Sequence, residues 1–186
     1  MRRAAAPDLC DAITAQMARL EMGGAEVEVA FEELPRSQWT GVGPSRIELL
    51  YRPAAGMAAR PLRRIASGGE ISRVMLATKV VLGAADAVDT LVFDEVDAGV
   101  GGATAVALAA VLADLARTHQ VIVVTLLAQV AARAERHYVV ETTADALPET
   151  IIREVAGDER VREIARMLSG DATEASLAHA REMLDA

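Results

Sequence analysis

The chain has 186 residues and a formal net charge of −8 at neutral pH, and it is 52% hydrophobic but only 3% aromatic. One domain with a core of Ala, Val, Leu, Ile and Met is expected, and the acidic balance excludes a module that coats nucleic acid over its whole surface. The one cysteine, Cys10, excludes an intramolecular disulfide and suits a reducing, cytoplasmic compartment. The start has no apolar run resembling a signal peptide, and the richest apolar stretch, 103–116, is interrupted by Asp114 and too short for a membrane span.

In chain order, Leu9, Ile13, Met17 and Leu20 fall at helical spacing, predicting a helix over 8–22 that ends near Gly23-Gly24. Residues 26–31 alternate polar and apolar as a half-buried strand does, and 47–51 read as its antiparallel partner across a Pro- and Gly-marked loop. From Ser67 onward the pattern changes. Ile71, Val74, Met75, Thr78, Val81 and Leu82 form one helical stripe, followed by a short buried strand at 90–93 and an Ala-rich helix over about 102–117. A second apolar strand at 121–124, a helix near 127–135 and a strand at 138–140 continue the alternation, which predicts parallel strands with crossover helices. Residues 151–155 add a candidate edge strand. Two helices close the chain, split near Gly170, the second starting at Asp171 or Thr173.

Charge is uneven. Between Arg46 and Lys79 there are seven basic residues and two acidic ones, a local +5 against −13 for the remainder. Two readings stay open: a solvated surface laced with salt bridges, or an edge facing phosphate or DNA backbone. His119, His137 and His179 have no ligand spacing; His137 frames a strand and the others read as surface residues. Trp39, among Pro and Gly neighbours, reads as a local packing anchor.

Two motifs carry chemistry. Ser67-Gly68-Gly69-Glu70 fits a helix capping box, with Ser67 as N-cap and Glu70 reaching back to it. The paired glycines suggest more, because they let backbone N–H groups approach an anion at the positive end of a helix. Asp94-Glu95 leaves an apolar strand. There, one carboxylate can hold Mg²⁺, commonly through water, while the next polarises a water for attack on a γ-phosphate. The glycine-rich segment after it, 96–102, is either a permissive connection or a loop that approaches a partner subunit. No G-x-x-x-x-G-K-[ST] sequence occurs, and the only lysine, Lys79, lies within a helical stretch.

The run from Ile65 to Ala77, then Leu91 to Gly102, then Thr118 to Thr125, resembles the RecN family of SMC-like, ABC-type ATPases of DNA double-strand-break repair. The most specific segments are Ala66-Ser67-Gly68-Gly69-Glu70 and Asp94-Glu95-Val96-Asp97-Ala98-Gly99-Val100-Gly101-Gly102, and the tail from Arg162 to Glu182 adds to them. The resemblance implies an α/β fold: the C-terminal lobe of an ABC/SMC-type ATPase head (residues 24–186), with a small antiparallel β element near its start. Residues 1–23 would be the end of a returning coiled-coil helix. It further implies that Ser67, Gly68, Gly69 and Glu70 form the signature motif touching ATP on the opposite head of a homodimer. Asp94 would position Mg²⁺ and Glu95 would activate water, with the Walker A loop supplied by an N-terminal half and DNA engaged by the full-length protein. The chain departs from related heads where Leu126 occupies the place of a switch histidine, since Leu126 cannot donate a hydrogen bond. The aspartate many SMC-like heads carry after the Walker B pair aligns with Gly101. A non-catalytic head-dimerisation module and the lobe of another SMC-like repair or chromosome-organising ATPase stay open as alternatives.

Overall fold

The computed structural model describes residues 1–65, 68–85, 87–143 and 149–185. It opens with helix α1 (Arg2–Arg19), which turns Cys10, Ile13 and Met17 inward; Leu20, its C-cap, is buried beside them. Strands β1 (Glu26–Glu33) and β2 (Ser45–Arg52) follow, pairing antiparallel in the register Val27↔Tyr51. The short β3 (Arg60–Pro61) adds to the far edge of β2, so the expected N-terminal antiparallel element is a three-stranded sheet.

Helix α2 (Gly68–Leu82) buries Val74, Leu76 and Ala77 on one side. Next come β4 (Thr90–Phe93), α3 (Gly102–Ala116) and β5 (Gln120–Val123), with β4 and β5 paired in parallel from Thr90↔Gln120 to Phe93↔Val123. This is the predicted strand–helix–strand crossover. Leu91 and Phe93 point into a core that also holds Ile13, Met17, Val74, Leu76, Leu108, Val111 and Leu112, so α1, α2 and α3 all lie over one face of the pair. The opposite face is bare. Val92 is 66% exposed and Ile122, its register partner, 47%. The expectation of a buried strand at 90–93 therefore holds for one face only. Parallel strands normally have both faces covered.

The alternation does not continue as predicted. Helix α4 (Ala128–Arg133) is followed by β6 (His137–Thr142), which pairs antiparallel with β7 (Thr150–Val155) rather than joining β4 and β5. Helices α5 (Gly157–Ser169) and α6 (Glu174–Asp185) pack on α4 in a second cluster that includes Ala128, Ala131, Ala132, Ile164, Ala165 and Ala180. Because Val130 belongs to the main core, α4 joins the two clusters. The break near Gly170 is as expected. Gly170 takes φ +84° at the end of α5, and the Thr173 hydroxyl accepts the Ser176 N–H at the start of α6.

One smaller reading changes and two are made specific. His119 is buried rather than at the surface, with Nδ1 2.9 Å from the Thr118 hydroxyl. Trp39 is half exposed and anchors only its own turn, donating Nε1–H to the Leu34 carbonyl at 3.0 Å beside Arg36. In the basic stretch, Arg46 pairs with Glu32, Arg52 with Glu26 and Glu28, and Arg63 with Glu48, which favours the salt-bridged surface. Arg60 and Arg64 are exposed and make no ion pair among the described residues.

Candidate functional site at the strand edge

β4 and β5 run the same way, so the segments leaving their C-terminal ends emerge side by side, and the Val124 N–H bonds the Phe93 carbonyl at 2.9 Å. This is the edge at which parallel α/β sheets collect ligand-handling groups. Asp94 and Glu95 leave it first, both exposed. Asp94 Oδ1 accepts the Glu95 N–H at 2.9 Å, and the Asp94 carbonyl accepts the Ser72 hydroxyl of α2 at 3.1 Å. Glu95 has φ +57°, a left-handed backbone that few residues other than glycine adopt readily. Beyond it, Val96 is fully buried and anchors the loop. The Arg73 guanidinium donates to the Ala98 carbonyl at 3.0 Å and to the Val96 carbonyl at 3.4 Å.

The start of α2 packs directly on this loop. A Cβ built on Gly68 would stand 2.5 Å from Glu95 Oε2; one on Gly69 would stand 2.8 Å from the Ala98 carbonyl oxygen and 2.9 Å from the Ala98 Cβ. The glycines thus have a packing role within the chain that motif reading missed, since nothing in the sequence shows which surface the helix start will meet. Glu70 lies in the first turn, and its negative charge adds to burial in raising the pKa of the Tyr51 phenol. Ser67, assigned as cap and phosphate contact, lies outside the described residues.

The third part of the edge follows β5. Asp97 Oδ2 accepts both the Thr125 hydroxyl, at 2.6 Å, and the Leu126 N–H, at 3.0 Å. Thr125 Oγ1 accepts the Leu127 N–H at 3.0 Å, immediately before α4. Leu126 itself is 88% exposed. Asp97, Arg73 and Ser72 were not singled out from sequence. Asp97 and Thr125 are far apart in the chain and meet only through the β4–β5 pairing.

A groove of about 290 Å³ runs along β4 beside the same edge, lined by Ile71, Ser72, Met75, Val92 and Asp94 among others. Among the described residues no group of three or more His, Cys, Asp or Glu side chains is placed to hold a metal ion by itself. No helix among them is long and apolar enough to cross a membrane.

No family model matches the chain. It is 48% identical over 186 residues to the DNA repair protein RecN of Deinococcus radiodurans, a match covering 98% of this chain and 32% of that protein. The chain is a RecN homologue. The RecN of Streptomyces coelicolor is 45% identical over 196 residues, covering 99% of this chain and 34% of the relative, and that of Mycobacterium tuberculosis is 42% identical over 207 residues. The chain therefore spans about a third of the length of these RecN relatives.

Solved structures show the fold. An Smc head domain with a coiled coil and joint from Pyrococcus yayanosii superposes with a TM-score of 0.62 at 20% identity, covering 87% of this chain and 29% of that one. A chain from work on ATP-driven dimerization and DNA-stimulated activation of SMC ATPases gives 0.53 at 18% identity, covering 87% and 91%. The expected α/β architecture, a lobe of an SMC-type head, is the fold observed.

Proposed function

We propose that this chain is the C-terminal lobe of a RecN-type ATPase head acting in DNA repair, completed by a Walker A-bearing N-terminal half and paired with a second head around ATP. The observation that carries the reading is the single strand edge gathering Asp94, Glu95, the N-terminus of α2 and the loop at Leu126. The residues suit a magnesium nucleotide. Asp94 is an exposed carboxylate steadied by the next residue's N–H, and one carboxylate suffices where water and phosphate oxygens complete the magnesium shell. Magnesium and ATP would supply the electrophilic γ-phosphoryl group. Glu95 would take a proton from water, while Gly68 and Gly69, with Ser67 and Glu70, would offer the α2 N-terminus to the phosphate bound by the opposite head.

Exposed apolar residues support the missing half. Val92, Ile122 and Val124 on the β4–β5 face, and Val140 with its register partner Ile152 on β6–β7, are 47–71% exposed. Such clustered exposure marks surfaces that partner chains cover. In this reading residues 1–23 deliver the chain from a coiled-coil arm, and DNA is engaged by the assembled protein in the cytoplasm.

Leu126 favours a second reading, in which the engaged head binds ATP without turning it over, because an exposed leucine offers no donor to a γ-phosphate. Mixing this chain with a separately made Walker A-bearing half and measuring ATP hydrolysis, with Glu95→Gln as control, separates the two. Turnover that needs both halves and Glu95 supports the ATPase. A stable complex that binds ATP without turnover supports the binding-only head. Absence of any complex refutes both.

A further inference from the structure

We infer that Asp97 is a positioning residue that presets the backbone at position 126, in the segment that leaves β5 at the same strand edge as Asp94 and Glu95. The inference rests on the nucleotide-handling reading of this edge. One carboxylate oxygen, Oδ2, receives two donors from consecutive residues, the Thr125 hydroxyl at 2.6 Å and the Leu126 N–H at 3.0 Å. Hydrogen bonds to an ionised acceptor are roughly twice as strong as neutral ones. Thr125 Oγ1 then accepts the Leu127 N–H, which extends the grip to the N-cap of α4.

The Leu126 side chain cannot do this work. It is 88% exposed, so burial contributes almost nothing to where this residue sits. A pinned backbone under an unpacked side chain indicates a position held for what the residue faces outward. The other end of the same loop is held as well. Ser72 bonds the Asp94 carbonyl, and Arg73 bonds the carbonyls of Val96 and Ala98. Asp97 joins the Glu95 loop to the entry of α4, and Ser72 and Arg73 join the same loop to α2. A displacement of α2 on pairing with a second head would be passed to position 126 through this carboxylate.

The test uses Asp97→Ala and Asp97→Asn in two readouts. In the chain itself, amide hydrogen exchange at 125–127 should quicken about tenfold or more in Asp97→Ala, while β1 and β2 keep their protection. Asp97→Asn, whose side-chain oxygen can accept both donors, should stay within about threefold of the parent. In the mixed two-half head, Asp97→Ala should lower kcat about tenfold or more with KM for ATP within about twofold, and Asp97→Asn should restore most of the rate. Unchanged exchange at Leu126 in Asp97→Ala would overturn the inference. So would uniform loss of protection, parallel loss of kcat and ATP affinity, or an asparagine variant as poor as alanine. If the parent head does not turn over ATP, the ATPase reading falls, and the exchange data alone decide whether Asp97 holds position 126.

Discussion

Gly69 lies so close to Ala98 that a Cβ on it would stand 2.8 Å from the Ala98 carbonyl oxygen and 2.9 Å from its Cβ. Since a backbone carbonyl cannot swing aside, Gly69→Ala should cost about 1–3 kcal/mol of stability, the usual penalty for overpacking. Gly68→Ala meets only the end of the Glu95 side chain, which can rotate away, so its change should stay within about 0.5 kcal/mol. Urea unfolding of the two variants checks this. Equal destabilisation would show that the helix start is not packed on the 94–98 loop.

The Arg160 guanidinium bonds the carbonyls of Ala131, Ala132 and Ala134, closing the C-terminal end of α4 from α5. Arg160→Ala should destabilise the chain by about 2 kcal/mol, and Arg160→Lys should recover only part, because all three bonds come from the terminal Nη2 and a lysine ammonium ends one bond short of it. Fluorescence-free denaturation followed by circular dichroism suffices to measure it. A neutral Arg160→Ala would mean that water replaces these bonds without loss.

Acid should weaken the C-terminal region in a defined order. Burial holds the His137 imidazole below its ordinary 6.5, with Arg160 and Arg166 adding to the effect and Glu163 opposing it. The unfolded chain therefore binds a proton first, and stability falls as pH drops below about 6.5 until the native His137 also titrates. Glu163 adds a later loss. The Arg166 hydrogen bond, working against burial, holds its carboxyl below 4.5, so its contribution is intact above that value and vanishes as pH falls through the native pKa. Urea midpoints across this range should fall less steeply between pH 6.5 and 4.5 in His137→Gln. An identical slope would exonerate His137.

Val92 and Ile122 sit side by side on the bare face of β4–β5. Val92→Lys with Ile122→Lys should leave the chain's own stability within about 0.5 kcal/mol while weakening capture of the N-terminal half at least about tenfold. Sedimentation of the mixed halves reads the second effect. Undiminished association would place the docking surface elsewhere.

The strand–helix–strand unit from Thr90 to Val123 was legible because an apolar run, a turn signal and helical spacing all agreed there. Bare Val92 was not legible, since an apolar strand does not say whether one face or two will be covered. β6 was misassigned because its partner β7 lies across a segment whose pattern carries no pairing signal. The motifs located Asp94, Glu95 and the two glycines. Asp97 escaped because its partners at 125–126 come close only after the parallel register forms.

Glu95 keeps its left-handed backbone at φ +57° although glycine or asparagine would adopt it more cheaply, by about 1 kcal/mol. A library of this chain sorted for heat resistance alone would therefore drift toward Glu95→Gly, and the hardiest survivors would be the ones stripped of their second carboxylate.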